Sequence, residues 1–295
     1  MNPHLSNTDS GYIPPATTLK ASDDAIGRLL LDAGKLKQQD MERVLKLQRE
    51  QSLRFGEAAI QLGLVSEVDI QNALSFQFEY PYLSEDRKGL STELVAAVAP
   101  YGKEAEALRS VRSQLLLRWF NEGRKTLAIG SAKEGDGASY LTANLGVSFA
   151  QLGRKTLLID ANMRQPRQHQ IFNLGNSKGL SDILAGRADA IVTNPIKSFP
   201  TFFVLPSGSP PPNPAELLMR PLFDALLARF ESDYDAILIA TSPSHYVSDF
   251  QAVSARSGGV LIAVRRNISR QAALVDLKEK ILFTGAQVIG AVVLD

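Results

Sequence analysis

The sequence predicts an α/β fold in which a doubly wound, mostly parallel sheet follows a small, all-helical N-terminal domain. The sheet is predicted because short, continuous apolar runs, such as 126–130 and 156–160, alternate with amphipathic stretches. Strands of that kind separated by helices are typical of a parallel sheet covered on both faces. The helical domain is predicted because 21–83 has apolar residues at helical spacing and no strand-like run.

The composition excludes several classes of protein. The 295 residues carry 32 Lys and Arg against 31 Asp and Glu, so the formal charge of +1 gives no basic field for nucleic acid. The lack of Cys excludes disulfides and thiolate metal sites. No apolar stretch approaches the roughly 20 residues of a membrane-spanning helix, and 1–15 lacks the features of a signal peptide. We therefore expect a cytoplasmic protein that reaches the inner membrane only through a partner.

Composition and charge divide the chain into four segments. Residues 1–20 are rich in Ser, Thr, Pro and Asn, which is typical of a disordered tail. The helical domain occupies 21–83 and is followed by a linker over 84–100. The net charge changes from acidic to basic near residue 101, and the α/β domain is predicted to occupy 101–295.

The helical domain contains an internal repeat with copies at 25–48 and 54–77. Apolar residues recur at matching positions of the two copies. Each copy is predicted to be a short helix ended by a glycine, then a turn and a second helix. Two glycines and two glutamines also align between the copies: Gly27 with Gly56, and Gln48 with Gln77.

A glycine-rich stretch, 132–139, follows the first predicted strand and precedes a helix. Its spacing is that of the phosphate-binding loop of P-loop NTPases, in which glycines let backbone N–H groups approach a phosphate at a helix N-terminus. The lysine that defines such a loop is replaced by Ala138, so the alternative, a simple glycine turn, stays open. The predicted phosphate contacts are Gly135, Asp136, Gly137, Ala138, Ser139 and Tyr140.

Residues 106–295 resemble the bacterial tyrosine autokinases that act with chain-length determinants in capsule and exopolysaccharide assembly. The glycine-rich loop is followed by an acidic motif at 157–166, and then by motifs that begin at Gly179 and Asn213, in the family's order. The resemblance implies a P-loop NTPase-like sheet, ATP or ADP with Mg²⁺ as cofactors, and a membrane-embedded chain-length determinant as partner. It also implies a homo-oligomer, whose contact helix carries Glu106, Arg109 and Arg112.

Three groups that this family uses for phosphoryl transfer are replaced here. They are the loop lysine, the second acid of the acidic motif and the acid that ends a later strand, replaced by Ala138, Asn162 and Ala240. The resemblance leaves Ser139 and Asp160 as magnesium ligands, with Asp160 also a catalytic residue. Whether the chain is an enzyme therefore stays open at this level.

One lysine is a candidate substitute for the missing charge. Lys133 stands five positions before Ala138, where the related septum-site and partition ATPases carry a signature lysine that reaches phosphate across a dimer. The resemblance thus makes Lys133 a catalytic candidate, while a solvated loop lysine is the alternative. Arg265 and Arg266, after a strand that ends at Val264, either line a base pocket or face water, and we expect water.

The N-terminal repeat resembles the domain of type II secretion and pilus-assembly ATPases that binds cyclic di-GMP. The resemblance implies ligand contacts at Arg54, Gly27, Gly56, Gln48 and Gln77. The first copy departs from the family's pattern, because Ala25 stands where an arginine is expected. The alternative is that the glycines only end helices and that the repeat is a docking module.

The predicted function is regulation of chain length in exopolysaccharide biosynthesis by a tyrosine-autokinase-like P-loop protein with weak or no kinase activity. The alternatives are an active ATP-dependent protein tyrosine kinase and a non-catalytic scaffold that responds to cyclic di-GMP.

Overall fold

The computed structural model describes residues 26–77, 90–175, 178–188 and 193–295. The chain separates into two compact units, Met1–Tyr80 and Pro81–Asp295. The predicted disordered tail lies outside the described residues. Across those described ranges, no helix combines the length and apolar character needed to cross a membrane.

The N-terminal unit contains a pair of helices for each copy of the repeat. The helices are α1 (26–32), α2 (Gln38–Gln51), α3 (Phe55–Gln61) and α4 (Glu67–Gln77). Gly34 and Gly63 follow α1 and α3 at equivalent positions, and both have φ of +67°, which is the conformation of a glycine that ends a helix. Leu30, Val44 and Phe55, from both copies, share one apolar core.

The second unit contains both helices and strands, and most of its strands are separated by helices. Its described helices are α5 (Val95–Val98), α6 (Lys103–Arg118), a 3-10 turn (Phe120–Glu122), α7 (Ala138–Gln151), α8 (Gln168–Ile171), α9 (Leu180–Leu184), α10 (Pro214–Leu218), α11 (Pro221–Asp233), α12 (Val247–Ser257) and α13 (Gln271–Phe283). Its described strands are β1 (Thr126–Ser131), β2 (Thr156–Asp160), β3 (Asn194–Ile196), β4 (Phe199–Leu205), β5 (Ala236–Ala240), β6 (Gly259–Arg265) and β7 (Gln287–Leu294).

The described strands form one sheet in the order β3-β4-β2-β5-β1-β6-β7. Every pairing is parallel except that of β3 with β4, so the predicted mostly parallel sheet is confirmed. Because β1 lies between β5 and β6, the carboxyl ends of these three strands and of β2 meet at one edge. Ligands of open α/β sheets bind at that edge.

Two apolar cores cover the two faces of the sheet, which confirms the doubly wound arrangement. Successive residues of a strand point to opposite faces, and both sets are buried in the central strands. In β1, Leu127 and Ile129 pack in the core that contains α7, whereas Ala128 packs in the core that contains α11 and α12. This two-sided burial explains why the strands are apolar throughout.

Part of the predicted linker, 84–100, belongs to the α/β unit. Its described residues dock on α7 through a buried amide: Asn144 Oδ1 accepts the N–H of Ala96 at 3.0 Å, and Asn144 Nδ2 donates to the carbonyl oxygen of Glu93 at 2.9 Å. Ser91 N donates to the carbonyl oxygen of Ile171 at 3.1 Å. The sequence predicted a linker here, but long-range hydrogen bonds hold its described residues to the α/β unit.

Candidate phosphate-binding site

The glycine-rich loop joins the end of β1 to the start of α7, a helix of 14 residues. Gly137 caps α7 with φ of +94°, a conformation that L side chains rarely adopt. A Cβ at Gly137 would also overlap Leu294 Cδ1. The loop therefore requires glycine here, and the free N–H groups of the first turn of α7 face the space above the sheet edge.

A cavity of about 340 Å³ lies over this loop. Among the predicted site residues, six line it together: Lys133, Gly135, Gly137, Ala138, Ser139 and Tyr140. Two further cations, Arg167 and Arg265, line the same cavity. A helix N-terminus and three basic side chains thus line one space together with two carboxylates, Glu93 and Glu134. The excess of positive charge favours a polyanion.

Asp136 takes a different place from the predicted phosphate contact. Its carboxylate is buried, and Oδ2 accepts the N–H of Lys133 at 2.9 Å while Oδ1 accepts the hydroxyl of Ser269 at 2.8 Å. It is absent from the cavity lining. The side chain of Asp136 therefore joins the loop to Ser269 instead of contacting a ligand in the cavity.

Asp160 is also turned away from the cavity. It is buried at the end of β2, where Oδ1 accepts the N–H of Asn162 at 3.2 Å and Oδ2 accepts the N–H groups of Arg167 and Gln168 at 3.0 Å each. Burial raises the pKa of Asp160 to about 6, and the three N–H donors oppose that rise. In this structure the carboxylate fixes the chain between β2 and α8.

The three replaced positions hold neutral groups, and two of them line the same cavity. Ala138 and Asn162 line it. The amide oxygen of Asn162 accepts the hydroxyl of Ser242 and the N–H of Gln165, each at 3.2 Å. Ala240 is buried and pairs in register with Asp160. The substituted side chains are therefore part of ordinary packing and hydrogen bonding.

The remaining side chains of the cavity differ in how they are held. The side chain of Lys133 is exposed, whereas Arg167 Nη2 forms an ion pair with Glu93 Oε1 at 2.7 Å. Tyr140 is half-buried with its hydroxyl 3.4 Å from Glu104 Oε2. Burial and the negative charge of Glu104 raise the pKa of Tyr140 to about 12, so it is a neutral hydrogen-bonding group at physiological pH.

Arg265 corrects an expectation from the sequence. We expected it to face water, yet it is half-buried, lines the cavity and has a buried Nε without a hydrogen-bond partner among the described residues. The signal that could have found it is its position at the end of β6. That strand neighbours β1, but the neighbour relationship becomes known only with the sheet order.

The predicted oligomerisation residues make contacts within their own chain. The guanidinium of Arg109 binds the Glu106 carboxylate and the carbonyl oxygen of Pro100, and Arg112 Nη1 donates to the carbonyl oxygen of Ser148 at 2.7 Å. The contact between subunits that the sequence predicts for α6 stays a prediction.

The predicted ligand residues of the repeat are divided between surface and core. Arg54 is exposed and Gln48 is half-buried, while the side chain of Gln77 lies outside the described residues. Gly27 and Gly56 are buried: a Cβ on Gly27 would lie 2.9 Å from Met41 Cε, and one on Gly56 would lie 3.1 Å from Ile70 Cγ2. Close packing of helices is sufficient to explain both glycines.

Known proteins similar to this chain identify its family. Tyrosine-protein kinase YwqD of Bacillus subtilis is 30% identical over 203 residues, which cover 69% of this chain and 86% of YwqD. The chain belongs to the bacterial tyrosine-protein kinases. Since the N-terminal unit ends at Tyr80, most of the length shared with this kinase falls in the α/β unit.

Two further bacterial tyrosine-protein kinases show the extent of the similarity. Tyrosine-protein kinase wzc of Salmonella typhimurium is 33% identical over 174 residues, which cover 59% of this chain and 24% of wzc, so the chain spans about a quarter of that relative. The kinase domain of Escherichia coli tyrosine kinase ETK is 27% identical with a TM-score of 0.67, over 74% of this chain and 85% of that domain. No protein-family model matches the chain.

The candidate site has a phosphate-binding half, which would hold a nucleotide, and a metal-binding half, which would hold Mg²⁺. The residues present fit these two cofactors to different degrees. The phosphate half fits a nucleotide, because Gly137 begins α7 with a positive φ and the cations Lys133 and Arg265 line the cavity beside it. The metal half fits magnesium less well. No group of three or more metal-ligating side chains occurs among the described residues, and Asp160 is already hydrogen-bonded away from the cavity. The hydroxyl of Ser139 is the predicted ligand that lines it.

Proposed function

We propose that this chain is a nucleotide-binding regulatory member of the bacterial tyrosine-protein kinases, acting in exopolysaccharide chain-length control with weak or no phosphoryl transfer. One observation supports the proposal: the glycine-rich loop and three cations line one cavity, while the three replaced catalytic positions in and near that cavity are Ala138, Asn162 and Ala240. The three catalytic side chains are replaced, but the fold around the loop is kept.

Binding and transfer make different demands on such a site. Phosphates are held by backbone N–H groups, a helix N-terminus and positive side chains, which this loop supplies. Transfer also needs charge neutralisation in the transition state and a group that positions the nucleophile. Mg²⁺ bound with ATP supplies part of that neutralisation, and Ser139 and Asp160 are the residues that would hold it. Asp160 would first have to leave its three N–H donors, which favours binding over transfer.

We expect full-length protein to bind Mg·ATP with a roughly micromolar Kd and to show no phosphotyrosine after incubation with it. Calorimetric titration and an anti-phosphotyrosine blot measure the two properties. Ala138→Lys should tighten ATP binding about tenfold or more, because a charge-assisted hydrogen bond is restored.

Each of the two measurements has an outcome that would contradict the proposal. The absence of heat up to roughly millimolar ATP, in protein shown to be folded, would disprove nucleotide binding. Phosphotyrosine on the wild-type chain would favour the alternative, an active ATP-dependent protein tyrosine kinase.

We also propose that the N-terminal repeat binds cyclic di-GMP. The same titration with cyclic di-GMP as the ligand tests this proposal. The exposed Arg54 supports that proposal, and Arg54→Ala should then abolish the heat.

We further propose that α6 forms a homo-oligomer contact and that a membrane-embedded chain-length determinant is the partner, both supported by the resemblance of the α6 motif. Arg109 and Arg112 both make contacts within the chain, and Arg109→Ala is the variant chosen as the probe. We expect Arg109→Ala to convert an oligomer into monomer in sedimentation velocity. Arg118→Ala, exposed at the end of the same helix, should leave the profile unchanged. Equal profiles for wild type and Arg109→Ala would refute the contact.

A further inference from the structure

Arg265 reaches the phosphate loop from the neighbouring strand. It ends β6, which pairs in parallel with β1. Its Nη2 lies 3.9 Å from the point where a Cβ on Gly137 would stand. Arg265 and Ala138 line the same cavity, so a cation from another strand stands beside the position that lacks the lysine.

The side chain of Arg265 has an unused hydrogen-bonding capacity. Its Nε is buried without a partner, and it forms no ion pair with a carboxylate among the described residues. The adjacent Arg266 is different, since it is exposed and its Nε lies 2.6 Å from Asp295 Oδ1. A guanidinium that loses water without gaining a partner is destabilising. An anion that contacts the guanidinium from the cavity would offset that cost.

A chain of hydrogen bonds holds the backbone of Arg265 to the loop. The N–H of Arg265 donates to Ser269 Oγ at 2.9 Å, and the hydroxyl of Ser269 donates to Asp136 Oδ1 at 2.8 Å. Asp136 Oδ2 in turn accepts the N–H of Lys133 at 2.9 Å. The loop and the strand end that carries Arg265 are therefore fixed to each other before any ligand arrives, and such preorganisation lowers the cost of binding.

We propose that Arg265 supplies the phosphate-binding positive charge that a lysine at position 138 would otherwise provide, and that its ligand is the polyphosphate chain of a nucleoside di- or triphosphate. This inference rests on the proposed nucleotide binding. Arginine suits the role, because its planar guanidinium can donate two parallel hydrogen bonds to phosphate oxygens and keeps its charge at all physiological pH values. The buried Asp136 serves this group as a positioning residue.

The test is calorimetric titration of the full-length protein with ATP and, separately, with inorganic tripolyphosphate. Arg265→Gln should weaken both by roughly ten- to a hundredfold, whereas the matched control Arg266→Gln should stay within about twofold of wild type. Tripolyphosphate lacks the base and ribose. A loss of affinity for tripolyphosphate therefore shows that Arg265 acts on the phosphates. Arg265→Lys should recover part of the affinity.

The outcomes separate this inference from the function on which it rests. Wild-type affinity in Arg265→Gln would overturn the role of Arg265 and leave nucleotide binding intact, while a wild type that binds neither ligand would overturn both. The affinity of Arg265→Gln could also fall because the substitution damages the loop. The double variant Ala138→Lys/Arg265→Gln distinguishes this cause from a loss of charge. Restored affinity in that variant supports a charge role, and a failure to restore it overturns the proposal.

Discussion

Gly179→Ala is expected to destabilise the α/β unit by about 4 kcal/mol or more, which lowers Tm by roughly 10 °C for a domain of this size. A Cβ at Gly179 would overlap the carbonyl oxygen of Pro206 and the amide nitrogen of Gly208. Both are backbone atoms, and Leu180 N and Ser181 N donate to the Pro206 and Ser207 carbonyl oxygens at 2.8 and 2.9 Å. The two segments cannot separate without breaking these bonds. Thermal unfolding followed by circular dichroism measures the effect.

The matched control for this steric effect is Gly186→Ala. Gly179 has φ of −149°, which alanine adopts freely, so its substitution tests the overlap alone. Gly186 has φ of +71° with nothing within 4 Å of a Cβ, so its substitution tests backbone strain alone, expected to be about 1 kcal/mol. A Gly179→Ala protein that melts at or above the temperature of Gly186→Ala would show that the two segments can move apart.

Asp182 reinforces the same junction electrostatically. Burial alone would raise its pKa, but the N–H groups of Ser209 and Gly179, with Arg187, outweigh burial and lower the pKa below its usual value. The folded state thus favours the ionised carboxylate. Its stabilisation is present above the unfolded pKa and is lost as pH falls through the lowered folded value.

Arg164→Ala is expected to cost about 3–5 kcal/mol of unfolding free energy, and Asp249→Asn distinctly less. Arg164 Nε and Nη2 donate to the Asp249 carboxylate at 2.6 and 3.1 Å. The Asp249 side chain is 1% exposed, whereas that of Arg164 is 35% exposed. Removing the arginine leaves a buried, unpaired carboxylate, while removing the charge of Asp249 leaves a guanidinium that water can reach and that stacks on Tyr246.

Urea denaturation of the single and double variants measures this asymmetry. Arg164→Ala/Asp249→Asn should recover a large part of the loss in Arg164→Ala, because the uncompensated charge is then absent. Equal costs for the two single variants would mean that Asp249 regains water after Arg164 is removed.

The sequence predicted those parts of the fold that depend on neighbouring residues along the chain. Continuous apolar strands predicted a sheet covered on both faces, and the two cores confirm it. The antiparallel β3 could not be predicted, since three residues, one of them Pro195, carry no periodicity. Residues 90–100 were missed for a related reason, because the buried amide of Asn144 that fixes them belongs to a distant helix.

The candidate site likewise contains features that nearby residues determine and features that distant residues determine. Its loop was found because phosphate-binding glycines are local in sequence. Arg265 was missed because its place in the cavity depends on β6 lying next to β1, a relationship between strands that are far apart along the chain. Asp136 illustrates a second limit: its position in the motif is local, but its hydrogen-bond partner Ser269 comes from the loop between β6 and α13.

The sheet order also determines when the phosphate loop can take its shape during synthesis. β1 precedes both of its neighbours, β5 and β6, and the Thr241 hydroxyl that binds the Ile129 carbonyl comes from 112 positions further along the chain. Contacts of such long range form slowly. The repeat helices can fold as they leave the ribosome, whereas β1 has no neighbouring strand until β5 has emerged and gains its second neighbour only with β6. A chain released before that point would expose the apolar strand on which the loop is built, and chaperones would meet this species first.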